Sequence, residues 1–172
     1  MRFDRIATKE ATKIRKIRLY LETTVFDYYF DDDRDGHEDV LKLFEAIKAG
    51  EFEAYTSDYV LDELKKAKEP KRSKMLALVD GYEVTLLSDF DKVSELARLY
   101  IARGTIPASH LYDSSHVAMA SVNKLDCIVS YNFHHINRDK TRYMTAVINE
   151  EEGYGEIMIA TAKEVLDDAE TV

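Results

Sequence analysis

Three acids stand where carboxylates are unusual. Glu22 closes the alternating run Ile17 to Glu22 (IRLYLE), at the exit of a predicted core strand. Glu63 lies three residues after Val60 and four before Ala67. That spacing puts it on the inward stripe of Val60, Leu64 and Ala67, in a helix predicted from Ser57 or Asp58 to about Glu69. Asp62 groups instead with Lys65, Lys66 and Glu69 on the outer side. Asp113 starts a helix, and Asn132 leaves the strand that follows it. Burying an unpaired charge costs several kcal/mol, so each inward acid needs a partner. Two or three carboxylates with an amide suit Mg²⁺ or Mn²⁺, which keep several waters and take further contacts from phosphate oxygens. Such an ion can generate hydroxide and neutralise a phosphodiester as it is cleaved. Like charges would then make Glu63 costly to ionise without metal, and Glu63→Gln is expected to hold or raise metal-free stability. The alternative is a stripe-edge glutamate whose carboxylate reaches water.

The stretch Leu111 to Phe133 must position two of these residues. Between Asp113 and Asn123 nearly every helical face is apolar or small, as in a helix covered on several sides. Leu125 to Ser130 is β-branched without alternation, the pattern of a strand buried on both faces of a parallel sheet. The class is α/β, and its ligands bind at the carboxyl edge of the sheet. Before this stretch come a short helix Val25 to Phe30 after Thr23-Thr24 and a helix with Val40, Leu41, Phe44 and Ile47 in one stripe, ended by Gly50. A strand Phe52 to Thr56 follows, then a helix from Pro70 to Gly81 and a strand Val84 to Ser88. Ser88-x-x-Asp91 resembles a capping box for a helix ended by Gly104. Gly155 to Ala160 reads as a last strand, and Thr161-x-x-Glu164 as the cap of a last helix.

Composition narrows the function. The 172 residues carry a net charge of −9, with 45% hydrophobic and 33% charged residues, as expected of one globular domain. Residues 1 to 18 hold seven Lys and Arg against Asp4 and Glu10, a local +5, and the rest carries −14. So acidic a body does not hold nucleic acid by long-range attraction; a polyanion would be met locally or through a bound cation. Residues 1–16 read as a basic extension and 17–172 as a single domain. In the body, Lys65, Lys66, Lys68, Lys71, Arg72 and Lys74 form the basic patch, which a solvated helical face would also explain. No run reaches the roughly 18 apolar residues of a membrane span and no leader is evident, so a cytoplasmic protein is expected.

Several chemistries are set aside. The acidic run Asp31 to Gly36 begins like a calcium loop, but position twelve is Lys42 where a bidentate Glu is needed. Cys127 falls in a core strand without a partner cysteine. There is no G-x-S-x-G and no glycine-rich phosphate loop after the first strand. A haloacid-dehalogenase-like phosphatase would want Asp-x-Asp where LETT stands.

LYLETTVF, YVLDEL, YDSSHVAMA and VSYNFHH together resemble the PIN-domain nucleases, in order and spacing, over about residues 17 to 166. The resemblance implies a three-layer α/β/α fold with a parallel sheet of about five strands. It further implies Mg²⁺- or Mn²⁺-dependent cleavage of single-stranded RNA, often by a VapC-type toxin paired with an antitoxin, and a homodimer. By this resemblance Glu22, Glu63 and Asp113 hold the metal, and Asn132 positions water or substrate. Thr23, His116 and His134 are expected to contact substrate, with His135 beside them at the rim; His116 could touch phosphate or orient a carboxylate, and a hydrogen-bonded packing histidine is the reading set against both. The family's first acid is usually Asp, one methylene shorter than Glu22, and its fourth is often Asp where Asn132 stands here. These departures imply weaker metal binding or a single metal. A different class also fits them: a non-catalytic RNA-binding or protein-binding module on the same fold.

Overall fold

In the computed structural model, which describes residues 15–170, five strands form one parallel sheet. They are β1 (Ile17–Leu21), β2 (Phe52–Ser57), β3 (Thr85–Leu87), β4 (Cys127–Val129) and β5 (Met158–Ala160), in the order β3-β2-β1-β4-β5. The last three residues of β1 and all of β4 and β5 are buried, which matches their unbroken apolar sequence; β3, at one edge, is largely exposed. Most of the basic extension lies outside the described residues. Its root is fixed: Arg15 makes a two-pronged ion pair with Asp126, at 2.7 and 2.8 Å, where β4 begins.

The described helices are α1 (Thr23–Tyr29), α2 (His37–Lys48), α3 (Asp58–Leu64), α4 (Lys71–Gly81), α5 (Asp91–Ala102), α6 (Leu111–Val122), α7 (Asp139–Glu152) and α8 (Ala162–Glu170). Right-handed crossovers put α1 to α4 on one face and α5 to α7 on the other. The last helix returns to the first face, against α2. The result is a three-layer α/β/α sandwich. Its central helix is α6, in which every residue from Ser114 to Ser121 is buried. The serines of α6 are tolerated because they are paired: Ser114 Oγ donates to Ala97 O at 2.7 Å and Ser115 Oγ to Leu111 O at 2.8 Å.

Two local expectations are corrected, and one helix was not anticipated. The helix expected to reach Glu69 ends at Leu64, because Lys66 and Ala67 bond three residues back and Pro70 disfavours helix just before it. Ser88 and Asp91 form no capping box; Phe90 holds the N-cap position of α5, and Asp89 accepts from Ser94 instead. The unanticipated helix, α7, carries no apolar stripe to announce it, since its buried residues are Thr141, Thr145, Ile148 and Asn149. Thr141 donates to His135 O at 2.6 Å, and the Asn149 amide joins Tyr100 and Ser121 in a buried polar cluster. The cap at Thr161 and Glu164 forms reciprocally, with bonds of 3.2 and 3.3 Å.

One glycine is required by its surroundings. Gly36 precedes α2 at φ +106°, and a Cβ there would lie 2.8 Å from the Tyr131 ring. That ring stacks on Tyr28 at 4.1 Å and so steadies the segment leaving β4.

Candidate active site

The order of the strands creates the site. From β1 the chain winds outward through β2 and β3, then crosses back to β4 on the other side of β1. The carboxyl ends of β1 and β4 therefore flank the switch point where α/β sheets bind ligands. Glu22 follows β1, Ser130 to Asn132 follow β4, and α3 carries Glu63 away from β2 at the same edge. Because α6 runs back towards the start of β4, its first turn, with Asp113, lies at this edge too.

Glu22 is 2% exposed and caps the N-terminus of α1. Its carboxylate accepts from Thr24 N at 3.0 and 3.2 Å, from Thr24 Oγ1 at 3.1 Å and from Ser130 Oγ at 3.3 Å. Thr24 Oγ1 in turn accepts from Tyr131 N at 2.8 Å, and Ser130 Oγ from Asn132 N at 3.0 Å, so the two strand exits are stitched together. Burial pushes the Glu22 carboxyl up to about 7; the positive His116 and the Thr24 bonds oppose this, and Glu63 adds to it. These direct partners are all neutral.

Glu63 behaves differently. Its side chain is 28% exposed and accepts from His116 Nε2 and, at 2.9 Å, from Thr23 Oγ1. Burial raises its pKa, but the His116 hydrogen bond and charge outweigh that and leave the carboxyl below its ordinary value. His116 is raised: burial works against the cation, and Glu63, Glu22 and Asp113 together prevail. Behind it Tyr20 Oη lies 2.8 Å from His116 Nδ1 and 2.7 Å from Ser57 Oγ. The expectation that like charges dominate at Glu63 is thus corrected, since its bond and electrostatic contact with His116 leave its carboxyl lowered rather than raised. Ser57 holds the N-cap position of α3 but gives its hydroxyl to Tyr20.

Asp113, 15% exposed at its side chain, faces His110 Nδ1 at 3.4 Å. The His110 and His135 rings lie 3.9 Å apart. Among the described residues, two triples bring one ligand atom each within 4.8 Å of one another: His110, Asp113 and His135, and the surface run Asp31, Asp32 and Asp33. Glu22, Glu63 and Asp113 share the edge without forming so tight a set, because α1 holds Glu22 and His116 holds Glu63. Asn132 Oδ1 accepts from His135 N at 3.1 Å and shapes the turn that bears His134, which is exposed. Of the basic patch, Lys71 pairs with Asp27 and Arg72 with Glu69, and Lys66 lies over the Tyr112 ring at 5.5 Å.

Sequence reasoning named Glu22, Glu63, Thr23, Asp113 and His116, which meet at this edge, but missed Tyr20, Ser130 and His110. Tyr20 reads as one more apolar strand residue, and nothing in its spacing tells that its hydroxyl ends beside a histidine 96 residues later. His110 lies one helical turn before Asp113, a signal that was available.

The PIN domain family matches residues 19–140, more than half of the chain. The chain belongs to the PIN domain family. Among the solved structures that share its fold are the following two. One is VapC20 of Mycobacterium tuberculosis, described as a sarcin–ricin-loop-cleaving toxin: TM-score 0.54 and 13% identity, covering 68% of this chain and 92% of that one. The other is VapBC2 of Rickettsia felis bound to a fragment of promoter DNA: TM-score 0.50 and 13% identity, covering 83% and 98%. No curated protein sequence matches. None of the described helices is long and apolar enough to cross a membrane.

Proposed function

We propose that this PIN-domain protein is a Mg²⁺- or Mn²⁺-dependent endoribonuclease that hydrolyses phosphodiesters of single-stranded RNA in the cytoplasm, as the toxin of a toxin–antitoxin pair. One observation carries the reading: the buried Glu22 at the switch point, with Glu63 and Asp113 from two further elements at the same edge. The donors fit a hard divalent ion. Glu22, Glu63, Asp113 and Asn132 offer only oxygen, and Glu22 is a buried carboxylate whose hydrogen bonds come from neutral groups, which leaves room for a cation to stabilise its charge. Glu22, Glu63 and Asp113 would hold the ion, which when bound lowers the pKa of water and neutralises phosphate charge.

The chain's own residues prepare the rest. His116, fixed from behind by Tyr20, keeps the Glu63 carboxylate ionised and turned towards Thr23. Asn132 holds the turn that presents His134 towards substrate phosphate, near half-buried Thr23; His116, expected to contact substrate, is instead buried with both ring nitrogens engaged, and acts by holding Glu63. An acidic body leaves the exposed Lys65, Lys66, Lys68 and Lys74, of which Lys66 lies over Tyr112, as the cationic approach for RNA. An antitoxin partner is supported by the fold shared with a VapBC complex, and a homodimer by the family resemblance.

A second reading, a non-catalytic RNA- or protein-binding module, is favoured by Asn132 in place of an acid and by the use of the Glu22 carboxylate as a helix cap. Purified protein incubated with single-stranded RNA separates the two. Cleavage with Mn²⁺ that is lost with EDTA and in Asp113→Asn supports the nuclease. Binding without cleavage, and a melting temperature indifferent to millimolar metal, would establish the module.

A further inference from the structure

Beside the oxygen-lined edge lies a cluster of different chemistry. His110 stands in the short 3-10 turn Ala108–His110 that leads into α6, Asp113 in the first turn of that helix, and His135 in the turn after β4. One ligand atom from each lies within 4.8 Å of the other two. The 3.4 Å between His110 Nδ1 and Asp113 Oδ2 is long for a hydrogen bond. In addition, His135 Nδ1 is buried and has no hydrogen-bond partner among the described residues. A buried unpaired ring nitrogen is costly, and a metal would satisfy it.

We propose that His110, Asp113 and His135 form a Zn²⁺ site of two imidazoles and one carboxylate, open to water at its remaining position. Mixed nitrogen and oxygen donors favour Zn²⁺ over Mg²⁺, which prefers oxygen alone. The two rings lie nearly face to face, tilted by 32°, so their in-plane lone pairs do not yet converge. Binding turns the His110 ring, whose side chain is 44% exposed and on the surface. Since Asp113 also belongs to the oxygen set, Zn²⁺ here withdraws it from the Mg²⁺ or Mn²⁺ ion and suppresses cleavage. That consequence rests on the nuclease reading; the binding does not.

The test is titration of tag-free full-length protein with Zn²⁺ alone, by calorimetry and by competition with a chromophoric chelator. One equivalent is expected to bind, and His110→Ala and His135→Ala are each expected to weaken it at least ~10-fold. His134→Ala, at the exposed neighbour, and Glu22→Gln should leave it unchanged, and circular dichroism establishes that each variant is folded. No stoichiometric binding, or binding indifferent to both His110 and His135, would overturn the site. So would an equal loss in Glu22→Gln, which would put the ion among the oxygens. Zn²⁺ binding that needs both histidines, in a protein that cleaves no RNA, supports this site while removing the nuclease.

Discussion

The Tyr20 hydroxyl lies 2.8 Å from His116 Nδ1, and through that ring a residue of the central strand sets the position of Glu63 on α3. With Glu63 ionised and able only to accept, Nε2 must carry the proton it donates. Burial pushes the Tyr20 phenol well above its ordinary pKa, so it stays neutral and completes the chain to Ser57. Tyr20→Phe keeps the ring but leaves Ser57 Oγ and His116 Nδ1 without their shared partner. A loss of about 1–3 kcal/mol in urea denaturation is expected. Unchanged stability would mean that the hydroxyl contributes nothing to holding His116.

Glu22 gives the metal-free protein a pH dependence of unusual sign. Its carboxyl rises from 4.5 to about 7 on folding, so the folded state holds that proton more tightly than the unfolded state. Its contribution is complete below the unfolded value and is lost as pH climbs through about 7, at most about 3 kcal/mol. With chelator present, stability should fall between pH 5 and pH 8 by more in the parent than in Glu22→Gln, where the titrating group is gone. Parallel curves for the two proteins would show that Glu22 does not titrate in this range.

How far the sequence reaches depends on which atoms carry the information. Glu22, Glu63 and Asp113 were legible because a charge on an apolar stripe or at a core strand's end violates the local pattern. The helix α7 was not, because its inner face is Thr141, Thr145 and Asn149, polar residues whose burial is offset by partners on other elements. The position of Glu63 was legible, and its electrostatic surroundings were not. Its neighbour across the fold, His116, is a buried ring brought there by packing that no spacing within α3 could announce.

The basic patch is divided by its ion pairs. Lys71 and Arg72 are engaged by Asp27 and Glu69, whereas Lys65, Lys66 and Lys74 are exposed. Neutralising these three to Gln is expected to weaken RNA binding and to lower its salt slope by about one unit per lost phosphate contact. Neutralising Lys71 and Arg72 should do less, since each already spends its charge on a carboxylate. The root of the basic extension, Arg15, is pinned to Asp126 where β4 begins, across the sheet from the site. If the three lysines prove neutral to binding in filter or fluorescence assays, the RNA path lies elsewhere.

Glu63 separates metal ligation from packing. In metal-free protein its carboxylate accepts a charge-assisted bond from His116 and a second from Thr23, and its pKa lies below the ordinary value despite burial. A depressed carboxyl contributes stability above its unfolded pKa and loses it as pH falls through the folded one. At neutral pH, therefore, Glu63→Gln should destabilise, by about 1–3 kcal/mol for the loss of a hydrogen bond to a charged group. Like-charge repulsion alone would predict the reverse. Metal-dependent cleavage should fall as well, because an amide is a poorer ligand for a hard ion. The matched control is Asp62→Asn, one residue earlier and exposed, whose carboxylate accepts from the Tyr112 hydroxyl at 3.2 Å. A Glu63→Gln protein that is destabilised yet cleaves RNA at the parent rate would leave His116 and Glu63 as a packing pair and remove Glu63 from the metal. One that holds its stability and loses cleavage would show the reverse, a ligand whose bond to His116 carries no net energy.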